Sequence, residues 1–274
     1  MGIVMKKTLF VSDLDGTLLR RDQTLSDFTR DTINALVDAG MTFTYATARS
    51  AETAEQVTRG LKTSAPRVLY NGAFVIDEKG KVIASRYFSQ LDKLAVIGEV
   101  IAAGSYPVVY ATIGGAEKFT FLHEKMSDGC KRFLDTRKHC VRYNPTARES
   151  DLYDGQAFYI LCIDAPQKLA VFYEKYKDKF NCIFSNDVYS GDMWLEIMPS
   201  EATKANALAE LKRSLDCRLT VFGDGKNDAD MFRIADESYA VENACEELRS
   251  IASAVIGKNS DDSVAKQLVK LFYR

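Results

Sequence analysis

The chain has 274 residues and a formal net charge of −2, a length that suits one large domain or two modest ones. The near-neutral charge gives no positive field for nucleic acid or an anionic membrane, and no window is apolar enough for a membrane span. The first residues, MGIVMKK, lack the apolar region of a signal peptide. We therefore expect a soluble cytoplasmic protein with neither a nucleic-acid nor a membrane partner; the sequence leaves the oligomeric state open.

The cysteines and histidines give no sign of a disulfide framework or a zinc site. The six cysteines include no CxxC pair, and the two histidines, His123 and His139, are too few and too far apart for zinc. A chain of this size does not need disulfide cross-links, so reduced and mostly buried thiols are expected.

The first part of the chain alternates strand and helix patterns. Residues 9–11 are an apolar strand, and SDFTRDTINALVDAG is an amphipathic helix with Ser26 as its N-cap and Gly40 at its C-cap. MTFTYATA is predicted as the next strand and SAETAEQVTRGL as the next helix. RVLYNGAFVI contains a turn at Asn71 and Gly72, and DEKGKV is typical of a hairpin turn between AFVI and VIASRYF.

The pattern changes between about residues 85 and 190, where helices such as LDKLAVIGEVIAAG alternate with aromatic-rich strands such as QAFYILCID. After MWLEIM the first pattern resumes, with a helix over about residues 201–215 and the strand RLTVFG. Alternating strands and helices predict a parallel sheet covered by helices. We therefore predict an α/β protein with a doubly wound, mainly parallel, Rossmann-like core sheet in residues 1–84 and 191–274. A smaller α/β domain is inserted at residues 85–190.

Two carboxylates, Asp13 and Asp15, directly follow the first strand. Residues two apart on an extended backbone face the same side, so both side chains are expected in one crevice at the carboxyl end of the strand, where parallel sheets bind ligands. Two anions held so close raise a pKa or require a cation between them. By itself, however, Asp-Leu-Asp-Gly is equally typical of a simple turn.

A second acidic loop, VFGDGKNDADMF, follows a later apolar strand and contains Asp224, Asn227, Asp228 and Asp230. One helix N-cap needs one acid, whereas this loop has three. An EF-hand does not fit, because the segment starting at Asp224 has no glycine at its sixth position and no glutamate at its twelfth. A magnesium site shared with the first acidic pair explains the acids better.

Two cationic residues lie near predicted helix starts. In TYATARS, Arg49 follows the hydroxyl of Thr47 and the backbone N–H of Ala48, which together could cradle an anion. Lys204 lies in the first turns of a helix, where a cation is unfavourable for the helix dipole, so it favours an anionic partner. Each of these residues also fits an ordinary solvated position.

Taken in order, these segments resemble the four motifs of the haloacid dehalogenase superfamily of phosphohydrolases. They are most similar to the Cof-type branch, which carries a large α/β cap of the C2B type between its second and third motifs. DLDGTLL resembles the first motif, ATAR the second, Lys204 the third and GDGKNDADM the fourth. YNGA, LEIMP and VIGKNSDDSVA are also similar to family segments, so the resemblance covers nearly the whole chain outside the cap.

The resemblance implies a Mg²⁺-dependent phosphatase that acts on small phosphorylated metabolites, sugar phosphates above all. Asp13 would attack phosphorus and form an aspartyl-phosphate, and Asp15 would protonate the leaving group and then activate water. The implied metal site consists of Asp13, the backbone carbonyl of Asp15, Asp224 and, as a residue that orders the others, Asp228. The implied phosphate site consists of Thr47, Lys204, Asn227 and backbone N–H groups near Leu14 and Ala48, with Arg49 beside them.

The sequence departs from the family pattern at Ala48 and Ala205, where glycine is common, and at Ser263, which also replaces a common glycine. The first two departures add only a methyl group, which predicts tighter access near the phosphate.

A phosphomutase of the same superfamily remains an alternative, since it also needs the second aspartate. From a different class, a phospho-accepting or ligand-binding module without turnover is the other alternative; Asp15 disfavours it, because an acid/base group shortens the lifetime of a phosphoaspartate.

Overall fold

The computed structural model describes residues 7–186 and 190–274 and divides the chain into two compact units. The first unit contains the residues up to Ser85 together with Ala202–Arg274, and the second contains Arg86–Glu201. The second unit thus ends at Glu201 rather than at the expected residue 190. The reason is that the strand MWLEIM pairs with two strands of the second unit. Its local sequence does not indicate which sheet it joins.

The strands and helices are numbered in chain order. The strands are β1 (Thr8–Ser12), β2 (Thr42–Tyr45), β3 (Arg67–Leu69), β4 (Phe74–Ile76), β5 (Val82–Ser85), β6 (Val108–Ile113), β7 (Ala116–Phe121), β8 (Tyr143–Pro145), β9 (Gln156–Ile163), β10 (Asn181–Asn186), β11 (Met193–Met198), β12 (Arg218–Gly223), β13 (Glu237–Ala240) and β14 (Ala254–Val255). The α-helices are α1 (Asp27–Asp38), α2 (Ala51–Val57), α3 (Gln90–Ala102), α4 (Asp128–Asp135), α5 (Pro166–Tyr176), α6 (Lys204–Ser214), α7 (Ala229–Ile234), α8 (Glu246–Ile251) and α9 (Ser263–Phe272).

The main sheet of the first unit is parallel, with the strand order β14-β13-β12-β1-β2. The central pair, β1 and β12, is in register with Ser12 opposite Phe222. From β1 the chain continues to β2 on one side, and from β12 it continues to β13 on the other. The sheet therefore has its topological switch point between β1 and β12, where parallel sheets bind ligands at the carboxyl ends of the strands. This confirms the predicted doubly wound α/β core.

Local sequence explains the elements around this sheet. The N-cap predicted for α1 is confirmed, because the Ser26 hydroxyl accepts a hydrogen bond from the N–H of Thr29 at 3.0 Å. Beyond β2, Ala46 bridges to Val68 and connects the main sheet to β3. The predicted hairpin is present as the antiparallel pair β4 and β5.

The second unit has its own sheet, with the order β10-β11-β9-β6-β7-β8. All neighbours are antiparallel except β7 and β8. Apolar residues of α3 and α5, among them Val96 and Phe172, join one core with β6, β9 and β11. The helix α4 is not predicted from the sequence, because it has only eight residues and its apolar face consists of just two buried side chains, Cys130 and Leu134. Among the described residues, no helix is long and apolar enough to cross a membrane.

Candidate active site

Two aspartates lie at adjacent strand ends beside the switch point. Asp13 follows β1, and its N–H donates to the carbonyl oxygen of Phe222 at 2.9 Å, which continues the pairing with β12. Asp224 follows β12 directly. Parallel strands present their carboxyl ends at the same edge, so this register brings both carboxylates to one crevice.

The loop after Asp13 turns sharply at Gly16, whose φ of +77° favours glycine. A Cβ atom at this position would lie 2.2 Å from Oδ2 of Asp224. The hydroxyl of Thr17 donates to Oδ1 of Asp224 at 2.8 Å, and the Asn243 side chain donates to the carbonyl oxygen of Gly16 at 2.8 Å. The loop is thereby held against Asp224. Asn243 is not among the residues predicted from the sequence, because only the tertiary fold brings the segment after β13 to this loop.

Substitution of Gly16 tests this close approach. We expect Gly16→Ala to reduce the hydrolytic activity that the sequence predicts by about 100-fold, the typical effect of moving a reacting group by about 1 Å, because Asp224 must shift away from the new methyl group. Gly40→Ala is the matched control: its φ is +102°, but nothing lies within 4 Å of its Cβ position. It should lose only about 1–2 kcal/mol of stability for the left-handed backbone. Equal kcat/KM values for the two variants would mean that the close approach of residue 16 to Asp224 does not affect activity.

Lys204 lies at the start of α6 and is almost fully buried, with 2% of its surface exposed. Its Nζ donates to Oδ1 of Asp13 at 2.5 Å and to Oδ1 of Asp228 at 2.7 Å. The other oxygen of Asp228 accepts hydrogen bonds from the N–H groups of Asp224 and Gly225, both at 3.0 Å. Lys204 and Asp228 thus connect the two acidic loops through one buried network.

The electrostatics of this network reflect burial and crowding. Burial raises the pKa of Asp13 well above its usual range; Lys204 opposes this shift, and the neighbouring carboxylates add to it. Burial, with repulsion from Asp228, raises the pKa of Asp224 to about 7. Burial lowers the pKa of Lys204, but the carboxylates of Asp13 and Asp228 outweigh it and leave a net increase.

The donor set fits a divalent cation. Oxygen atoms of Asp13, Asp224 and Asp228 all lie within 4.8 Å of one another. Carboxylate oxygens are the ligands that Mg²⁺ prefers, and a divalent charge would offset both the burial and the mutual repulsion that raise the pKa values of Asp13 and Asp224. Lys204 contacts one oxygen of Asp13 and one of Asp228, and a carboxylate oxygen that accepts one hydrogen bond still has a lone pair for a cation.

Arg49, which the sequence predicts as part of an anion cradle, forms an ion pair with Asp15. Its Nε and Nη2 donate to the two carboxylate oxygens of Asp15 at 2.7 and 2.6 Å, the bidentate geometry that arginine favours. Nη2 also donates to Oε1 of Gln23 at 2.7 Å. Gln23 has a left-handed backbone, with φ of +62°. Gln23 is not predicted from the sequence, because its contact depends on the turn that follows the first motif.

The remaining predicted phosphate ligands lie near the end of β2 and the second acidic loop. Thr47 is fully buried, and its hydroxyl accepts from the N–H of Arg49 at 3.1 Å. Ala48 is exposed, whereas the side chain of Leu14 is buried in the core. The side chain of Asn227 donates to Oδ1 of Asn71 at 3.2 Å.

Asn71 is a further residue of this region that the sequence motifs do not assign to the site. It is buried, has φ of +52°, and its N–H donates to the carbonyl oxygen of Thr47 at 2.9 Å. At Gly72, with φ of +102°, a Cβ would lie 2.2 Å from the carbonyl oxygen of Thr203, the N-cap of α6. This strained turn therefore packs directly against the residue that precedes Lys204.

Comparisons with known proteins agree with this geometry. A family model described as haloacid dehalogenase-like hydrolase matches residues 10–268. The 5-amino-6-(5-phospho-D-ribitylamino)uracil phosphatase YwtE of Bacillus subtilis is 25% identical to the chain over 92% of it and 94% of the relative.

Two solved structures share the fold. One is a haloacid dehalogenase-like hydrolase from B. subtilis, with a TM-score of 0.78 and 20% identity, covering 96% of this chain and 99% of that one. The other is the HAD subclass IIB sugar phosphatase BT4131, with a TM-score of 0.75 and 18% identity, covering 97% of this chain and 98% of that one.

Proposed function

Because the chain belongs to the haloacid dehalogenase-like hydrolases of the Cof type and is a phosphoric monoester hydrolase, we propose that it hydrolyses small phosphorylated metabolites through an aspartyl-phosphate on Asp13. The observation that carries this proposal is the position of Asp13 at the switch point, fixed by Lys204 and beside Asp224. Sugar phosphates are the proposed substrate class. Two relatives support it: YwtE is named for a phospho-ribityl substrate, and BT4131 is named a sugar phosphatase.

In the first step, a carboxylate oxygen of Asp13 attacks phosphorus as the bond to the leaving oxygen breaks. Lys204 holds Oδ1 of Asp13, which leaves Oδ2 for attack. An ammonium group has three N–H donors, and the two carboxylates use two of them. The third is available for a phosphoryl oxygen, together with Thr47, Asn227 and the N–H groups near Leu14 and Ala48.

Asp15 gives its proton to the leaving alkoxide and then accepts a proton from the water that attacks the aspartyl-phosphate. Arg49 donates to both oxygens of Asp15 in the structure, the pairing of the ionised group that accepts a proton from water. To act as the acid, Asp15 takes up a proton and gives up one of these two hydrogen bonds. We assign Arg49 the role of positioning Asp15, with Gln23 supporting its guanidinium. This assignment adds to the anion-binding role that the sequence around Arg49 predicts.

We propose that Asp13, Asp224 and the backbone carbonyl of Asp15 hold Mg²⁺, with Asp228 ordering the site. When bound, the ion supplies positive charge that offsets the charge on the phosphoryl oxygens. Asp228 keeps Asp224 in place by accepting two backbone hydrogen bonds from its loop. We further propose that the second unit is the cap that selects the leaving group, with the remaining residues forming the catalytic domain.

Metal binding should weaken in acid, because Asp224 must lose its proton to become a ligand. With a pKa of about 7 for Asp224, we expect the apparent Mg²⁺ affinity to be at least about 30-fold lower near pH 5.5 than near pH 8. This difference in affinity can be measured without substrate, by following the thermal unfolding midpoint as Mg²⁺ is added at each pH. Equal affinities at the two pH values would argue against Asp224 as a ligand.

A panel of phosphorylated metabolites tests the proposed reaction. We expect Mg²⁺-dependent release of inorganic phosphate, with hexose and pentose phosphates among the best substrates. Conversion of one sugar phosphate into its isomer without free phosphate would identify a phosphomutase instead. Stable phosphorylation without turnover would identify a phospho-accepting module.

A further inference from the structure

The turn between β3 and β4, residues 70–72, differs from an ordinary hairpin turn in being buried. Asparagine followed by glycine is common in tight turns because both tolerate positive φ, and Asn71 and Gly72 have φ of +52° and +102°. Connecting segments normally lie at the surface, but Asn71 is only 2% exposed and the preceding Tyr70 is 5% exposed. Buried polar groups are normally hydrogen-bonded, so the contacts of this turn indicate its role.

The turn contacts the segments that carry two of the proposed phosphate donors, Thr47 and Lys204. The N–H of Asn71 donates to the carbonyl oxygen of Thr47 at 2.9 Å. Gly72 approaches Thr203, the residue before Lys204, so closely that a Cβ would lie 2.2 Å from the Thr203 carbonyl oxygen. The backbone of the turn is therefore packed between the loop after β2 and the start of α6.

The side chain of Asn71 contacts the third of these proposed donors, Asn227. Its Oδ1 accepts a hydrogen bond from Nδ2 of Asn227 at 3.2 Å. An amide nitrogen has two N–H donors, so this bond uses one and leaves the other for a phosphoryl oxygen. The Oδ1 of Asn227 lies beside Gly225 instead, where a Cβ would be 2.6 Å from it. If the Asn227 amide were flipped, its carbonyl oxygen would face Oδ1 of Asn71, and two acceptors repel each other.

We propose that Asn71 is a positioning residue that orients the amide of Asn227, so that an N–H and not the carbonyl oxygen points towards the transferring phosphoryl group. An oxygen in that direction would repel the phosphoryl oxygens, whereas an N–H donor stabilises their charge. Asn71 acts through Asn227 rather than by contact with the substrate. This inference rests on the proposed function, in which Asn227 binds phosphate, and it adds a residue outside the four motifs.

Asn71→Gly removes the acceptor and keeps the backbone of the turn. Glycine tolerates the φ of +52°, and the N–H that donates to Thr47 is retained, so the fold should persist. We expect kcat/KM for p-nitrophenyl phosphate to fall about ten-fold, the effect of losing about one hydrogen bond. Most of the loss should be in KM, because a phosphate contact already forms in the bound substrate. A fall in kcat at unchanged KM would place the effect at the nucleophile and would overturn the proposal.

A double-mutant cycle tests whether Asn71 acts through Asn227. In the Asn227→Ala background, Asn71→Gly should change kcat/KM by less than about two-fold, because the amide that it orients is absent. The same loss in both backgrounds would mean that the turn affects the fold in general, and this result would also overturn the proposal.

Calorimetric titration with inorganic phosphate in the presence of Mg²⁺ repeats the cycle without turnover. Asn71→Gly should weaken phosphate binding about ten-fold in the parent and by less than about two-fold in Asn227→Ala. A parent that binds phosphate but releases none from any substrate would refute the proposed hydrolysis, while the binding cycle would still test Asn71. Unchanged phosphate affinity in Asn71→Gly would refute the role of Asn71, while hydrolysis by the parent would still support the proposed function.

Asp216→Gly is the matched control. Asp216 also has a positive φ, of +43°, but it is exposed and lies beyond the end of α6, whereas Lys204 lies at the start of that helix. Its replacement makes the same kind of backbone change, so kcat/KM and phosphate affinity should stay within about two-fold of the parent. Equal losses in Asp216→Gly and Asn71→Gly would attribute the effect to the flexibility of glycine and would overturn the proposal.

Discussion

Asp13→Asn should lower the hydrolysis of p-nitrophenyl phosphate and of hexose phosphates by at least about 10⁴-fold, as loss of a nucleophile does in other enzymes. An amide oxygen is a poor nucleophile toward phosphorus and cannot form the proposed intermediate. The fold should survive, because the amide oxygen of the variant can still accept a hydrogen bond from Lys204 at the position of Oδ1. Burial raises the pKa of Asp13, so removing this carboxylate should leave stability unchanged or increased.

Asp230→Asn is the matched control for this experiment. Asp230 lies in the same acidic loop as Asp224 but is exposed and pairs with Arg233. Its substitution removes one negative charge near the site without touching the buried network, so we expect activity within about two-fold of the parent and a stability change of at most about 1 kcal/mol. Parent-level activity in Asp13→Asn, or an equal loss in both variants, would reject Asp13 as the nucleophile.

Lys204→Met should have the second-largest effect, because it leaves Asp13 and Asp228 buried without their shared cation. Removing one partner of a buried ion pair typically costs about 3–5 kcal/mol. Activity should also fall by at least about 100-fold, because a donor to the transferring phosphoryl group is lost. Lys62→Met is the control: Lys62 pairs with Asp38 on the surface, with side chains 52% and 62% exposed, and should cost at most about 1 kcal/mol.

The pH dependence of Lys204→Met provides a further check. Without the lysine, the pKa of Asp13 in the folded protein rises further above its unfolded value. An acid with a raised folded pKa loses stability as pH rises from its unfolded pKa towards its folded pKa. The deficit of Lys204→Met relative to the parent should therefore be larger near pH 8 than near pH 5 in urea unfolding. A deficit that is the same at both pH values would mean that the loss comes from packing alone.

The sequence contained enough information for the core fold and for the meeting of the acidic loops. Residues 9–11 and RLTVFG are short apolar strands bounded by turns, and their alternation with helices predicts parallel pairing. Once the strands are parallel, the residues after them lie at one edge. The structure accordingly brings Asp13 and Asp224 to neighbouring strand ends.

The partners within the site could not be predicted in the same way. Lys204 contacts the carboxylates of Asp13 and Asp228, and Arg49 contacts that of Asp15. These contacts depend on distances that tertiary packing sets. Gln23 and Asn243 are polar residues in turns, a setting in which most such residues only face solvent. Likewise, MWLEIM has the same apolar pattern whether it joins the main sheet or the sheet of the second unit.

Two glycines with positive φ illustrate contacts in the site that the sequence does not predict. Gly16 and Gly72 both have positive φ and both leave no room for a Cβ, next to Asp224 and Thr203 respectively. Gly40 has positive φ but open space around it. The sequence alone cannot distinguish a glycine that ends a helix from a glycine that lets two catalytic segments touch. The structure makes the distinction through contact distances.

The most direct test of the account is detection of a phosphoryl group on Asp13. Asp15→Asn should still be phosphorylated by p-nitrophenyl phosphate, whose leaving group needs no proton, but it lacks the base that activates water. After acid quenching, peptide mass spectrometry of this variant should show the phosphoryl group on the peptide that contains residue 13, at the Asp13 side chain. Rapid turnover with no phosphorylated peptide, or a phosphoryl group on another residue, would contradict the account.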